Sequence, residues 1–169
     1  MGRQTNRLAF VAIALLLTLL PSSVGAAVSS EPATAGATMA SPEAAPTFRV
    51  YAHREGLVGQ TTANGHVIQE NDRFVALPCF CALSSKGGHE FQVKITYQGR
   101  SVVAPVWDVG PWNTNDNYWD PPAERTWTGI PQGVPEAAAV YYNDYNGGLD
   151  GKGREVRSPA GIDIADGTF

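Results

Sequence analysis

The alternation of apolar and polar residues between Phe91 and Tyr97 is the feature that most constrains the fold of this chain. In this segment, FQVKITY, every second side chain is apolar, which is the period of a β-strand with one buried face. QGR then supplies turn residues, and SVVAPVW returns as a second apolar, β-branched strand. The pattern predicts a β-hairpin, with Pro105 at an edge or a bulge because proline has no N–H for the ladder.

Shorter patterns on either side of this hairpin predict further elements. FRVYAH (residues 48–53) alternates in the same way, and FVALP (residues 74–78) is a short apolar strand that ends at a proline. Asn64-Gly65 is a strong tight-turn signal, and PEAAAVYYND (residues 135–144) is the one good helix candidate. With 18 Gly and 12 Pro in the chain, these patterns favour a mainly β domain with long loops.

The first 46 residues have the pattern of an export signal followed by a linker, not the pattern of a folded domain. Residues 1–26 hold two arginines, then the apolar run Leu8–Leu20, then small residues, which is the pattern of a signal peptide. The run has 13 residues, whereas a membrane span needs about 20, so we expect no stable membrane insertion after signal removal. Residues 27–46 are rich in Ala, Ser, Thr and Pro, which predicts a disordered linker. The sequence thus predicts a secreted, extracytoplasmic protein with one domain at residues 47–169.

The balance of charge weighs against nucleic acid as a partner. The chain has 16 Asp and Glu against 12 Lys and Arg, a formal net charge of −4, and no basic run. Residues 144–155 approach the acidic spacing of a calcium loop, but Leu149 stands where that loop requires glycine. We therefore expect neither a metal nor a cofactor.

The two cysteines, Cys79 and Cys81, are separated by a single residue. In an exported protein they form either buried thiols or a strained bridge, because their Cα atoms on an extended strand lie near the upper limit for a disulfide, about 6.8 Å. Metal binding with His89 is the other alternative, but this spacing matches no strong zinc pattern.

Four segments occur in an order that resembles the RlpA-like double-psi β-barrel family. They are TTANG at residues 61–65, FVALP at 74–78, GRSVVAPVWDVGP at 99–111 and GIDIAD at 161–166. Members of that family share a TANG segment, a strand that ends in Asp-x-Gly-Pro, and a later Ile-Asp-Leu/Ile segment. The resemblance covers most of the chain after Thr47. It implies a six-stranded double-psi β-barrel crossed by a groove, with cell-wall glycan (peptidoglycan) as the ligand.

The chain departs from this family at several places. Catalytic relatives carry Glu directly after TANG, where this chain has His66, and they carry a His in the segment that reads FVALP here. The stretch from Trp112 to Ala160 is a long insertion with loops and a short helix. Family members usually continue past the position of Phe169 into a helix and a closing strand. The resemblance therefore implies a barrel that is incomplete at its C-terminal end unless another segment fills the gap.

Asp108 and Asp163 are the candidate catalytic carboxyls, because they fall on the family's D-x-G-P and I-D-L acids. Glycan cleavage needs an acid that delivers a proton to the glycosidic oxygen, and hydrolysis normally needs a second carboxyl. Asp108 is the candidate general acid, and Asp163 is the candidate second group. The alternatives are that Asp108 accepts main-chain hydrogen bonds in its turn or binds ligand, and that Asp163 caps backbone groups.

The TANG turn supplies two further candidates. His66 could carry a proton in place of the missing Glu or donate to a sugar hydroxyl, and a solvated turn histidine is its alternative. Asn64 is a candidate for substrate binding, and its alternative is turn geometry.

Aromatic residues crowd the region around the D-x-G-P motif. Trp107, Trp112 and Trp119 are the candidate sugar-stacking residues, accompanied by Tyr118 and Trp127. The alternative is that these rings form the core of the insertion, which has few other apolar residues.

Three functions therefore stay open for a protein that we expect to be a monomer. The first is lytic transglycosylase cleavage of peptidoglycan, as the resemblance implies. The second is a non-catalytic glycan-binding or expansin-like wall-loosening module. The third is a structural secreted domain.

Overall fold

The domain is mainly β, as the sequence predicts. It is seen in a computed structural model that describes residues 9–17 and 45–169. The strands are β1 (Ala9–Leu17), β2 (Thr47–Arg54), β3 (Val75–Leu77), β4 (Phe91–Tyr97), β5 (Arg100–Val109) and β6 (Ala160–Ile164), and the α-helix of the described part is α1 (Glu136–Asn143).

Five of these strands curl into one mixed sheet in the order β2–β6–β3–β5–β4. β4 and β5 form the predicted antiparallel hairpin, in which Val93 lies opposite Ala104. β2 pairs in parallel with β6, and β3 pairs in parallel with β5 and antiparallel with β6. β6 therefore lies between β2 and β3 in the sheet, although it is far from both in sequence.

The backbone of β1 is extended and pairs antiparallel with both β2 and β4. Ala14 lies opposite Thr47 of β2, and Leu17 lies opposite Phe91 of β4. This pairing closes the strand order of the described residues into a barrel. β1 falls inside the apolar run of the predicted signal peptide, so one segment is a candidate for two roles, and the signal stays a prediction.

The core fills the inside of the curled sheet. Alternate side chains of each strand contribute to it, as the period of a β-strand requires. The buried members from the strands are Val50, Ala52, Val75, Leu77, Val93, Ile95, Ala104, Val106, Ile162 and Ile164. Tyr118 and Trp119 from the insertion, together with Cys79 and Ala82, complete this cluster.

Buried polar groups organise the insertion between β5 and β6. The Arg125 guanidinium donates to Asp116 Oδ1 at 3.0 Å, and both side chains are almost fully buried. The other oxygen of Asp116 accepts the Glu136 N–H at 2.6 Å at the first residue of α1. The predicted helix is confirmed: it follows Pro135 and ends where Asp144 takes a left-handed conformation. These buried hydrogen bonds and the Arg125–Asp116 ion pair order the insertion together with its apolar contacts.

The two cysteines form a disulfide, which is one of the three alternatives that the sequence left open. Their Cα atoms lie 5.1 Å apart, closer than on an extended strand, because the chain turns into a short 3-10 helix at Phe80–Ala82. Within residues 9–17 and 45–169, no helix is long and apolar enough to cross a bilayer.

Candidate functional site

A row of residues crosses four neighbouring strands and brings the two predicted carboxyls together. His53 of β2 lies opposite Asp163 of β6, Asp163 lies opposite Ala76 of β3, and Ala76 lies opposite Asp108 of β5. Residues opposite one another on neighbouring strands share a face of the sheet, and neighbouring strands lie about 4.8 Å apart. Since Ala76 carries only a methyl group, the two acids face each other across it.

A β-bulge turns Asp108 toward this row. Val75 lies opposite Val106, but Ala76 lies opposite Asp108, so β5 holds one extra residue at this point. Simple alternation from the buried Val106 would have pointed Asp108 into the core. The extra residue reverses the alternation and places the carboxyl on the same face as Asp163.

The end of β2 adds a third carboxyl, Glu55. Its N–H donates to Ile164 O at 2.9 Å, which continues the β2–β6 pairing past Arg54. Glu55 is two residues from His53 and therefore points to the same face. Its side chain lies within hydrogen-bonding reach of the Asp108 carboxyl.

Glu55 is the most perturbed acid of this group. Burial raises its pKa to about 9, and the hydrogen bond with Asp108 and the nearby carboxylates add to the shift. Glu55 Oε2 is buried and has no N–H or hydroxyl partner. A proton on Glu55 accounts for both observations, because the neutral carboxyl can donate to Asp108. At neutral pH Glu55 therefore holds its proton.

Asp108 is both a partner of Glu55 and a structural tether. Its Oδ1 accepts the Val109 N–H and the Ala63 N–H, each at 2.8 Å. The second bond ties the TANG turn to the end of β5. The turn role predicted for Asp108 is therefore seen, and the side chain is still half-exposed.

Asp163 lies beside the D-x-G-P turn and is paired with His53. A Cβ built on Gly110 would come within 3.3 Å of Asp163 Oδ2, so the glycine leaves room for this carboxyl. Burial raises the pKa of Asp163, the Asp108 carboxylate adds to this, and His53 opposes it. His53 Nδ1 lies 3.5 Å from Asp163 Oδ1.

The other residues predicted for the site from the TANG turn lie in a separate cluster. His66 Nε2 lies 2.5 Å from Asp72 Oδ2, and its ring packs 4.7 Å from Trp107. Asn64 accepts hydrogen bonds from Thr62 Oγ1 and the His66 N–H through its Oδ1, so it serves the turn geometry. The Trp107 indole N–H donates to Gly88 O at 2.8 Å. These contacts build the turn and do not place His66 against the carboxyls.

The two tryptophans of the insertion differ in exposure. Trp119 is 9% exposed and packs edge-on against Tyr118, so the structure places it in the core rather than on a sugar-facing surface. Trp112 is half-buried at the edge of a small cluster with α1, and its indole N–H points to Ser158 Oγ at 3.4 Å. Trp112 is therefore the candidate platform that borders the carboxyl row.

Two residues of the site, Glu55 and His53, were missed by sequence reasoning. The signal that could have found them is alternation: His53 and Glu55 follow the buried Ala52 on the opposite face of the strand. Their distance from the D-x-G-P motif in the sequence hid their contact with it.

Several residues that the sequence offered as metal ligands form other bonds. Cys79 and Cys81 are bonded to each other. Asp150 Oδ1 accepts the N–H groups of Lys152 and Arg154, and its Oδ2 accepts from the Arg154 side chain. In the described part of the chain, no three His, Cys, Asp or Glu side chains are arranged to hold a metal ion.

Comparison with known proteins gives one match. A family model described as "Domain of unknown function (DUF8814)" matches residues 46–169. No curated protein and no solved structure matches the chain.

Proposed function

We propose that this chain, which belongs to the family described as Domain of unknown function (DUF8814), is a secreted protein that cleaves cell-wall glycan by acid catalysis. The observation that carries the proposal is the Glu55–Asp108 pair. It offers a carboxyl that is protonated at neutral pH, since the pKa of Glu55 is raised to about 9. A glycosidic oxygen needs such a proton as it leaves.

The reaction proposed is the transglycosylase type rather than hydrolysis. Glu55 donates its proton to the glycosidic oxygen as the bond between that oxygen and the anomeric carbon breaks. A hydroxyl of the same sugar then bonds to the anomeric carbon and gives its proton to the Glu55 carboxylate, which restores the acid. Asp108 accepts the hydrogen bond that holds the Glu55 proton in place, and it holds the TANG turn through the Ala63 N–H. Because the attacking group belongs to the substrate, no second carboxyl at a fixed separation is needed.

The fold proposed is the six-stranded double-psi β-barrel of the RlpA-like family. The two parallel pairs, β2–β6 and β3–β5, joined by the antiparallel β3–β6 pair, support it. The hydrogen bond from the Ala63 N–H of the TANG turn to Asp108 of the D-x-G-P motif also supports this fold. The sixth position lies between β2 and β4, where β1 pairs.

The test is digestion of purified peptidoglycan sacculi, with release of anhydro-muropeptides measured by mass spectrometry. We expect the wild-type chain to release them and Glu55→Gln to lower the rate at least about 100-fold, the usual contribution of a general acid. The matched control is Glu70→Gln, which changes an exposed glutamate outside the row. Full activity in Glu55→Gln would exclude Glu55 as the proton donor.

A second candidate, a non-catalytic glycan-binding module, is favoured by one observation. His66, which stands where catalytic relatives carry Glu, is held by Asp72 away from the carboxyl row. The same sacculi distinguish the two functions. Sedimentation of the wild-type chain with sacculi and no release of anhydro-muropeptides supports the binder.

A further inference from the structure

Ser158, His53 and Asp163 lie in line at one end of the carboxyl row. Ser158 Oγ is 2.8 Å from His53 Nε2, and His53 Nδ1 is 3.5 Å from Asp163 Oδ1. A serine hydroxyl on one imidazole nitrogen and a carboxylate on the other is the arrangement that activates a serine for nucleophilic attack. The glycan proposal uses neither Ser158 nor His53.

Strand pairing fixes the positions of His53 and Asp163 relative to each other. His53 and Asp163 are register partners on β2 and β6, so their separation is set by strand pairing rather than by a flexible loop. Asp163 Oδ1 is buried and has no hydrogen-bond partner. A proton on His53 Nδ1 would therefore face this oxygen, which leaves Nε2 free to accept from Ser158. The 3.5 Å separation is longer than a hydrogen bond, and such contacts often tighten when substrate binds.

The surroundings of Ser158 add two N–H groups. The Trp112 indole N–H and the Ala160 N–H both point to Ser158 Oγ, at 3.4 and 3.5 Å. These contacts are too long to hold the hydroxyl firmly. Both N–H groups face the nucleophilic oxygen itself, where a donor stabilises the negative charge that develops on Ser158 Oγ as its proton leaves. Ser158 and His53 are both half-exposed, so a substrate can reach them.

We propose that Ser158 is the nucleophile of a second activity, the hydrolysis of carboxylic esters. Ser158 Oγ attacks the ester carbonyl carbon while its proton passes to His53 Nε2. The carbon–oxygen bond to the alcohol breaks, and the alcohol leaves with that proton, so the acyl group stays on Ser158. Water then attacks the acyl carbon, gives a proton to His53, and releases the carboxylic acid as Ser158 regains its proton.

The first experiment needs no variant. The purified chain is incubated with a fluorophosphonate, which reacts with activated serines by loss of fluoride, and the modified peptide is identified by mass spectrometry. We expect the adduct on Ser158. Absence of an adduct, or an adduct spread over exposed serines such as Ser101, would overturn the proposal.

Variants then test the roles of the three residues, with p-nitrophenyl acetate as substrate. Ser158→Ala should abolish turnover, and Asp163→Asn should lower it about 100-fold or more, with part of the rate restored by Asp163→Glu. Ser101→Ala, a serine on the exposed part of the hairpin, is the control. Turnover unchanged in Ser158→Ala would also contradict the proposal.

The ester activity should be lost in a variant that keeps the glycan activity. Ser158→Ala should abolish ester turnover and leave the release of anhydro-muropeptides unchanged. Loss of both activities in Ser158→Ala, with an unchanged thermal melting midpoint, would contradict a separate ester activity at Ser158.

Discussion

At the scale of single residues, the proton on Glu55 couples the site to the stability of the fold. An acid whose folded-state pKa lies above its unfolded value binds its proton more tightly in the folded chain. Its contribution to stability is therefore full below the unfolded value of 4.5 and is lost as the pH rises toward the folded value of about 9. The wild-type chain should thus become less stable across this range.

Replacement of Glu55 by Gln, which stays neutral, should remove this contribution. We expect the free energy of unfolding to fall from pH 5 to pH 9 by about 2 kcal/mol more in wild type than in Glu55→Gln, after allowance for solvent screening at a half-buried group. Urea denaturation at several pH values measures this difference, with Glu70→Gln as the variant that should follow wild type. Parallel curves for wild type and Glu55→Gln would contradict a raised pKa at Glu55.

At the scale of elements, the insertion depends on one buried cation. Arg125 donates to Asp116 and to the carbonyl oxygens of Ile130 and Pro131, and its side chain is fully buried. Removal of one partner leaves a buried charge without compensation, which costs about 3–5 kcal/mol. Arg125→Leu should therefore destabilise the chain by about this amount in urea denaturation.

An exposed ion pair in the same insertion provides the control. Arg157 contacts Glu155 at 3.1 Å, with side chains that are 78% and 71% exposed. Exposed pairs contribute about 0–1 kcal/mol, so Arg157→Leu should change the stability little. Equal losses for the two arginines would show that the Arg125 network does not hold the insertion together.

The elements also show what the sequence could predict. The β4–β5 hairpin, the helix at residues 135–144 and the Asn64-Gly65 turn rest on local periodicity or local turn chemistry, and the structure contains all three. The bulge in β5 and the position of Glu55 depend on pairing with β3 and β6, which no local pattern specifies. Trp119 illustrates the same limit, because a tryptophan in a loop has no periodicity that distinguishes a buried ring from an exposed one.

At the scale of the whole molecule, the fold brings together three segments that lie far apart along the chain. The acids of D-x-G-P and G-I-D-I lie on either side of Ala76, and the TANG turn is tied to Asp108. Only the folded chain shows that Glu55 holds a proton at this meeting point, because burial raises its pKa and three carboxylates that lie far from it in sequence add to the shift.

The position between β2 and β4, which β1 occupies, decides whether the strand order closes into a barrel. β1 pairs with β2 and β4, yet it lies within the residues predicted as a signal peptide. Removal of residues 1–26 would leave one side of β2 and one side of β4 without a ladder partner, and unpaired strand edges are costly to leave open.

In the chain of residues 27–169, we expect the alternate amides that point toward β1 to exchange hydrogen quickly, while those that pair with β6 and β5 stay protected. Native-state hydrogen exchange read residue by residue measures this, with a chain that retains β1 as the comparison. Uniform protection along both strands in the shortened chain would mean that another strand fills the position, and sedimentation would then tell whether a second copy supplies it.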